Sequence, residues 1–336
     1  MLLYEPVERE YLGALARATC IKEKRGVIFG TGTDRFDLLH RLSTGEIGNL
    51  KSGQEGTTVL TSEKGRIIDV LRVLALADSA IILLAGNDVE VVRSWLDKYT
   101  IMDDFETTDA SDDYQVVALH GPNVGFLLQG LFAVPLPENG TLGQVEIEDQ
   151  VILILRDIGL SGPNGALLVV PSPLSSKVMR LLSGEGCLEI SEETRQTLRI
   201  EAGRPEFGPE LSEEFNPLEA GLVSHVSFTK GCYIGQEVIA RLDTYDKVKQ
   251  RLMGVQFDEI EAGEFNGEGK FIIRESTGNE ALGRVTSVAS SPRYGTIGLG
   301  YIRSVWATPE LEVVVTLSDD PSRTIAKGRL KILPFS

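Results

Sequence analysis

A chain of 336 residues with 42% hydrophobic and 24% charged residues has the composition of a soluble globular protein long enough for two or three domains with their own cores. Its net charge of −16 argues against general nucleic-acid binding, which uses Lys and Arg to displace counterions from phosphates. No apolar run approaches the ~20 residues that span a bilayer, so no membrane association is expected. Met1 to Ala18 carries Glu5, Glu8 and Glu10 without an apolar core, the pattern of neither a signal peptide nor a typical transit peptide. Cys20, Cys187 and Cys232 are odd in number and widely spaced, which suggests reduced thiols and no disulfide framework.

In chain order, Glu8 to Ala18 reads as a short amphipathic helix with Tyr11, Leu12 and Leu15 on one side. A strand at Gly26–Phe29 leads to Thr33, which can cap a helix whose inner face carries Phe36, Leu39 and Leu42. Thr57 to Leu84 is strand-like, broken at Glu63-Lys64-Gly65 and Ala77-Asp78-Ser79, and Asp88 to Tyr99 returns to helical spacing. Hairpin-length breaks between the strands imply an antiparallel sheet. A second unit follows, with strands at Val116–Leu119, Val151–Leu155 and Ala166–Val170. Its helices carry Val124, Leu127 and Leu128, then span Ser175–Leu182 and Glu192–Glu201. The turns Gly32-Thr33-Asp34 and Gly121-Pro122-Asn123 share a layout, an internal repeat. After Leu252 helices stop, and short strands with Gly, Pro and Asn turns read as a small β-barrel or sandwich. The class is α+β: residues 1–250 form a core of two subdomains and 251–336 the barrel.

The run Lys230-Gly231-Cys232-Tyr233-Ile234-Gly235-Gln236-Glu237 is the most informative stretch. Glycines let the backbone turn tightly and approach another molecule, and a cation two residues before a thiol favours the thiolate. The octapeptide resembles the signature of the YgfZ-type folate-binding proteins, relatives of the glycine-cleavage T-protein, an aminomethyltransferase. Further matches stand in family order: Lys64-Gly65-Arg66-Ile67-Ile68-Asp69, Leu198-Arg199-Ile200-Glu201-Ala202-Gly203-Arg204-Pro205, Asn216-Pro217-Leu218-Glu219-Ala220-Gly221-Leu222, Gly283-Arg284-Val285-Thr286-Ser287 and Gly298-Leu299-Gly300-Tyr301-Ile302. The resemblance implies a three-domain ring of two α+β folate-binding subdomains and a C-terminal small β-barrel. It also implies tetrahydrofolate as the cofactor and iron–sulfur proteins or assembly factors as partners. Radical enzymes that modify transfer RNA would be among them, with no direct contact to nucleic acid.

Residue by residue, Glu201 leaves an apolar helix just before Gly203 and Pro205, and it matches the family position that holds the pteridine ring. A carboxylate there can accept the paired N–H donors of a pterin, or it can face water or pair with Arg199 or Arg204. Asp69 is an acid in an apolar strand, either on an exposed face or kept for function, because an unpaired buried carboxylate is costly. T-proteins carry two adjacent aspartates here, and this chain has Asp69 followed by Val70, which weighs against their mechanism. Cys232 and Asp69 are therefore the candidate catalytic residues, and Glu201, Lys230, Tyr233, Gln236 and Arg241 the candidates for cofactor binding. Three roles fit Cys232: transient ligand to an iron–sulfur cluster, carrier of a substrate, or redox-sensitive group. His225 lies close enough in sequence to form a Cys–His pair. Neither the other cysteines nor His40, His120 and His225 show metal-ligand spacing, so no resident metal is expected. Asp103-Asp104 reads as a loop or cap. Lys247, Lys249 and Arg251, set against Asp243 and Asp246, would share one face of a strand. That face is either simply solvated or suited to the anionic glutamate tail of a polyglutamylated folate.

Three functions remain open. The chain is a tetrahydrofolate-binding protein that supports iron–sulfur cluster assembly or repair, a folate-dependent aminomethyl or one-carbon transferase, or a non-catalytic scaffold. The expected state is a monomer, in a bacterial cytoplasm or, for a processed chain, an organellar matrix or stroma.

Overall fold

The computed structural model describes residues 6–244, 247–260, 270–276 and 280–336, so Glu5 and Asp246 lie outside the described residues. The chain divides into two compact units, Met1–Thr194 with Ser212–Glu214 and Ser224–Gln236, and Arg195–Leu211 with Phe215–Val223 and Glu237–Ser336. The elements run α1 (Pro6–Ala16), β1 (Thr19–Glu23), β2 (Val27–Thr31), α2 (Arg35–Leu42), β3 (Glu55–Thr61), β4 (Ile67–Ala75), β5 (Ser79–Leu84) and α3 (Val89–Tyr99). There follow β6 (Glu106–Asp109), β7 (Tyr114–His120), α4 (Val124–Phe132), β8 (Leu142–Ile147), β9 (Gln150–Asp157), β10 (Gly165–Pro171), α5 (Ser175–Gly184) and β11 (Leu188–Glu189). Last come α6 (Glu192–Glu201), α7 (Gln236–Thr244), β12 (Gln250–Ile260), β13 (Phe271–Glu275), β14 (Ala281–Ser291), β15 (Gly295–Arg303), β16 (Glu312–Leu317) and β17 (Thr324–Lys331).

Among the described residues, the first unit holds a five-stranded sheet ordered β3-β4-β5-β2-β6 and a six-stranded sheet ordered β11-β1-β7-β10-β9-β8. Each has an apolar core against two helices. Leu38, Leu39 and Leu42 of α2 and Val92 and Leu96 of α3 bury against Ile28, Leu71, Val73 and Ile82 of the first sheet. Val124 and Leu128 of α4 and Val178 and Leu182 of α5 bury against Val117, Leu119, Ile154 and Leu168 of the second. At about 1.5–3 kcal/mol for each buried Leu, Ile or Val, these two layers dominate the unit's stability. The second unit's strands close into a six-stranded barrel, β12-β15-β14-β13-β16-β17, filled by Val255, Ile273, Leu282, Val313, Val315 and Leu330. Register shifts in β12, β13, β14 and β16 supply the bends that closure requires. The α+β class is as expected, and of the barrel and the sandwich that the pattern left open the second unit has the closed barrel that the resemblance implies.

The internal repeat is realised in the backbone. After β2, Gly32 has φ 109°, and after β7, Gly121 has φ 113°. An added Cβ would lie 2.0 Å from the Asp104 carbonyl oxygen at the first and 1.9 Å from that of Arg17 at the second. Only glycine fits either turn.

Local expectations fail where the main chain or the helix phase decides. Thr33 does not cap α2: Asp34 holds the N-cap position without a side-chain bond. The Thr33 amide and hydroxyl instead donate to Asp104 at 2.8 and 3.0 Å, and Asp103 pairs with Arg41. This makes the acidic pair a loop staple. In α1, Tyr11 and Ala14 are buried while Leu12 and Leu15 are each 41% exposed. The helix turns its 11/14 face inward, so the apolar run does not coincide with the packed stripe. Lys247 and Lys249 precede β12 and are not strand residues, although exposure alternates through Arg251 and leaves all three cations in solvent. The elements without a predicted counterpart are β1, β6, β8, β11 and α7, of which β6 (Glu106-Thr107-Thr108-Asp109) is polar and β11 is two residues long.

Candidate functional site

The octapeptide forms a loop whose backbone is pinned and whose thiol is not. The buried Lys230 ammonium donates to the carbonyls of His40, Ser43 and Gly45 at 2.6, 2.7 and 2.8 Å. An ammonium has three N–H protons, so its donors are fully used on the last turn of α2 and the chain after it. Its charge also sits 4.9 Å from the centre of the Tyr233 ring. Burial pulls its pKa down to about 8, leaving it charged at neutral pH. The Ile234 amide donates to the Arg41 carbonyl at 3.0 Å, and the Ile234 carbonyl accepts from the Thr61 hydroxyl at 2.8 Å. Gly235, at φ 84°, packs so closely on the 62–65 turn that a Cβ would stand 2.7 Å from the Ser62 carbonyl oxygen. The incoming arm is held likewise, Thr44 donating its hydroxyl to the His225 carbonyl and Ser227 its amide to the Thr44 carbonyl. Gly231 faces open space and Cys232 is exposed.

This arrangement corrects the expected role of Lys230. Its protons are committed to three main-chain oxygens, not to the neighbouring thiol, so it rigidifies the loop that presents Cys232. Tyr233 is likewise a packing residue. It is 7% exposed, and burial pushes its phenol pKa up to about 12. Gln236 opens α7 and its amide donates to the Tyr233 carbonyl at 3.2 Å. His225 has Arg72 and Glu55 as its charged neighbours: burial, then Arg72, lower its pKa, and Glu55 opposes them. Arg72 itself grips Glu55 with two bonds of 3.2 Å.

Asp69 lies on the same hairpin as Thr61. β3 and β4 pair Leu60 with Asp69 and then Thr61 with Ile67, a bulge that re-aims the side chain beside it. Asp69 is 1% exposed, and its carboxylate accepts from the amides of Val70 at 2.6 Å, Ala85 at 2.8 Å and Gly86 at 3.3 Å. The sequence offered an exposed face or a function. The structure adds a third fact, an inward-facing carboxylate satisfied by the β5–α3 connection. Burial outweighs those bonds and pushes its pKa up to about 6. Val70, at the position of the family's second aspartate, is partly buried and carries no acid.

Glu201 and Arg241 belong to the second unit. Glu201 ends α6, where Gly203 at φ 67° returns its amide to the Ile200 carbonyl at 2.9 Å. The Glu201 carboxylate accepts from the Ser291 hydroxyl, whose oxygen in turn takes the amides of Arg293 and Tyr294 at 3.0 and 2.9 Å. Arg199 turns to Glu210 at 3.1 Å and to the Ser287 hydroxyl at 2.8 Å. Arg241 is exposed on α7. The residues that sequence reasoning missed are Thr61 and the donors and acceptors of 40–45 and 85–86. Most act through the main chain, and the only signal near them was the Lys64-Gly65-Arg66 turn.

Among the described residues no group of three or more His, Cys, Asp or Glu could hold a metal ion. No helix among them is long and apolar enough to cross a membrane.

Comparison with known proteins follows this geometry. The family model of the GCVT N-terminal domain matches residues 25–230. An aminomethyltransferase of Listeria monocytogenes is 31% identical over 316 residues, 92% of this chain and 83% of its own length. The Arabidopsis thaliana protein named "Putative transferase At1g60990, chloroplastic" is 30% identical over 306 residues, 90% of this chain and 68% of its own. In fold, the crystal structure of glycine cleavage system aminomethyltransferase T from Bartonella henselae superposes with a TM-score of 0.83 at 21% identity, over 100% of this chain and 91% of that one. The chain belongs to the GCVT family, the superfamily of the aminomethyltransferases.

Proposed function

We propose that this member of the family binds reduced folate and uses Cys232 as a reactive thiol in the assembly or repair of iron–sulfur clusters. The observation that carries the proposal is the Lys230–Gln236 loop. Lys230, the Ile234 main chain and Gly235 hold its backbone, and one side chain, Cys232, is left in solvent. A loop of this cost that served packing alone would gain nothing from an exposed thiol. With one exposed cysteine and no ligand cluster among the described residues, a metal cluster here is cargo in transit between chains.

The folate half rests on family membership and on Glu201. Glu201 is a carboxylate at a helix exit, oriented by Ser291, and a carboxylate is the group that can pair with the two N–H donors of a pterin. Asp69, whose carboxyl pKa burial pushes up to about 6, is suited to hold or release a proton. Lys247, Lys249 and Arg251, exposed in an otherwise acidic chain, suit the anionic tail of a polyglutamylated folate. Partners on this reading are iron–sulfur enzymes or their assembly factors, with effects on transfer RNA indirect. The compartment is cytoplasmic, or organellar as the name of the Arabidopsis relative says of that protein.

The test is a repair assay on an enzyme whose [4Fe–4S] cluster has been oxidatively damaged. Recovery stimulated by the wild-type chain with tetrahydrofolate and lost with Cys232→Ala supports the proposal. Equal recovery with the variant overturns the thiol's role. A second reading, one-carbon transfer to folate, is favoured by the aminomethyltransferase relatives and opposed by Val70. Turnover of an aminomethyl donor would establish it.

A further inference from the structure

Cys20 and Cys187, far apart in sequence, meet in the first unit. The parallel ladder of β1 and β11 pairs Thr19 with Leu188 and Cys20 with Glu189, and the Leu188 amide donates to the Ala18 carbonyl at 3.3 Å. Cys187 therefore enters the ladder level with Ala18, and the alternation of side chains puts it on the same face as Cys20. Both are buried in one apolar cluster with Val117, Leu119, Val124 and Leu182, where Cys20 is the first influence on the Cys187 thiol. Cys187 also lines a cavity of about 300 Å³ beside α4, shared with Arg17, Asn123, Phe126 and Glu185. Two further lining residues, Gly130 and Gly186, have nothing within reach of an added Cβ, and Phe126 is 82% exposed, so the mouth is open.

We infer that Cys20 and Cys187 are a redox pair, converted to an intramolecular disulfide by a low-molecular-weight disulfide that enters this cavity and reacts first at Cys187. In the first exchange the Cys187 sulfur attacks the incoming disulfide, forming a mixed disulfide and releasing one small thiol, which takes up the Cys187 proton. In the second, the Cys20 sulfur attacks the Cys187 sulfur of that intermediate, and the second small thiol leaves with the Cys20 proton. The two protein thiols are oxidised and the small disulfide is reduced, with nothing left over.

The surroundings favour this product over a bound metal. A disulfide is neutral and suits an apolar cluster, whereas two thiolates around a soft cation would place net charge among Val and Leu side chains. The link would pin β11, the two-residue edge strand of its sheet, to β1. The neighbouring Cys20 side chain, then burial, hold the Cys187 thiol above the ordinary cysteine range, so the exchange is slow at neutral pH and quickens about tenfold per pH unit.

The experiment incubates the full chain with oxidised glutathione, blocks residual thiols under denaturing conditions and maps the peptides by mass spectrometry. The expected result is a cross-linked peptide holding Cys20 and Cys187, removed by dithiothreitol. Cys20→Ala should instead stop at Cys187 carrying one glutathione. Recovery of both residues as blocked free thiols in the wild type, with oxidation confined to Cys232, would overturn the inference without reference to any variant's folding.

Discussion

Two polar regions of this molecule use charge in opposite ways. Around Arg199 in the second unit, a guanidinium that is 3% exposed meets a Glu210 carboxylate that is fully buried, and Ser287 and the Glu206 amide complete the network. Tyr301 adds its hydroxyl to the Glu210 carbonyl and stacks on Phe215 at 3.6 Å. Every participant is turned inward, and the network fixes the packing of helix exit and barrel. In the Lys230–Gln236 loop a buried cation also satisfies buried acceptors, yet the result is a side chain left in solvent. A closed network is a structural device. A closed network beside one exposed thiol is the arrangement that the proposed function uses.

The comparison breaks most visibly where a buried charge loses its partner. Arg199→Met strands the Glu210 carboxylate and should cost about 3–5 kcal/mol in urea denaturation. Lys230→Met leaves the carbonyls of His40, Ser43 and Gly45 without their donor, for a loss of about 3 kcal/mol. It should also raise hydrogen exchange at Arg41–Gly45 and Gly231–Gly235, and unchanged exchange there would contradict the bracing role.

Asp69 sharpens the contrast through pH. Its folded pKa, about 6, stands above the ordinary 3.8, so between those values the folded state holds the proton more tightly. Its contribution to stability therefore falls as pH rises from about 4 to 6, by up to roughly 3 kcal/mol, and is level above that. Stability of Asp69→Asn relative to wild type should rise across the same window. A difference independent of pH would mean that the carboxyl titrates normally. The smallest stability effect belongs to Cys232→Ala, within about 0.5 kcal/mol for an exposed side chain, while labelling by a thiol reagent of the native protein at neutral pH should be lost.

The legible part of this chain was whatever residue type alone determines. Apolar periodicity located α2, α3, α4 and α5, the run of turns after Leu252 announced a barrel or sandwich, and the octapeptide with its companion motifs pointed to the family. What stayed hidden depended on main-chain partners or on pairing at long range. Carbonyls at 40, 43 and 45 have no sequence signature, so Lys230 read as the thiol's neighbour when it is the loop's brace. Thr33 has a capping side chain, but Asp104 competes for it from across the sheet. The contact of Cys20 with Cys187 required the β1–β11 pairing, which two residues cannot announce.

On the proposed function, the anchor for folate and the reactive thiol are separate residues. Calorimetric titration of tetrahydrofolate into the wild type, Glu201→Ala and Cys232→Ala tests this directly. Binding to the wild type and to Cys232→Ala, with its loss in Glu201→Ala, is the expected result. Absence of binding to all three would contradict the folate half and leave a scaffold, and unimpaired binding to Glu201→Ala would remove the pterin from that carboxylate.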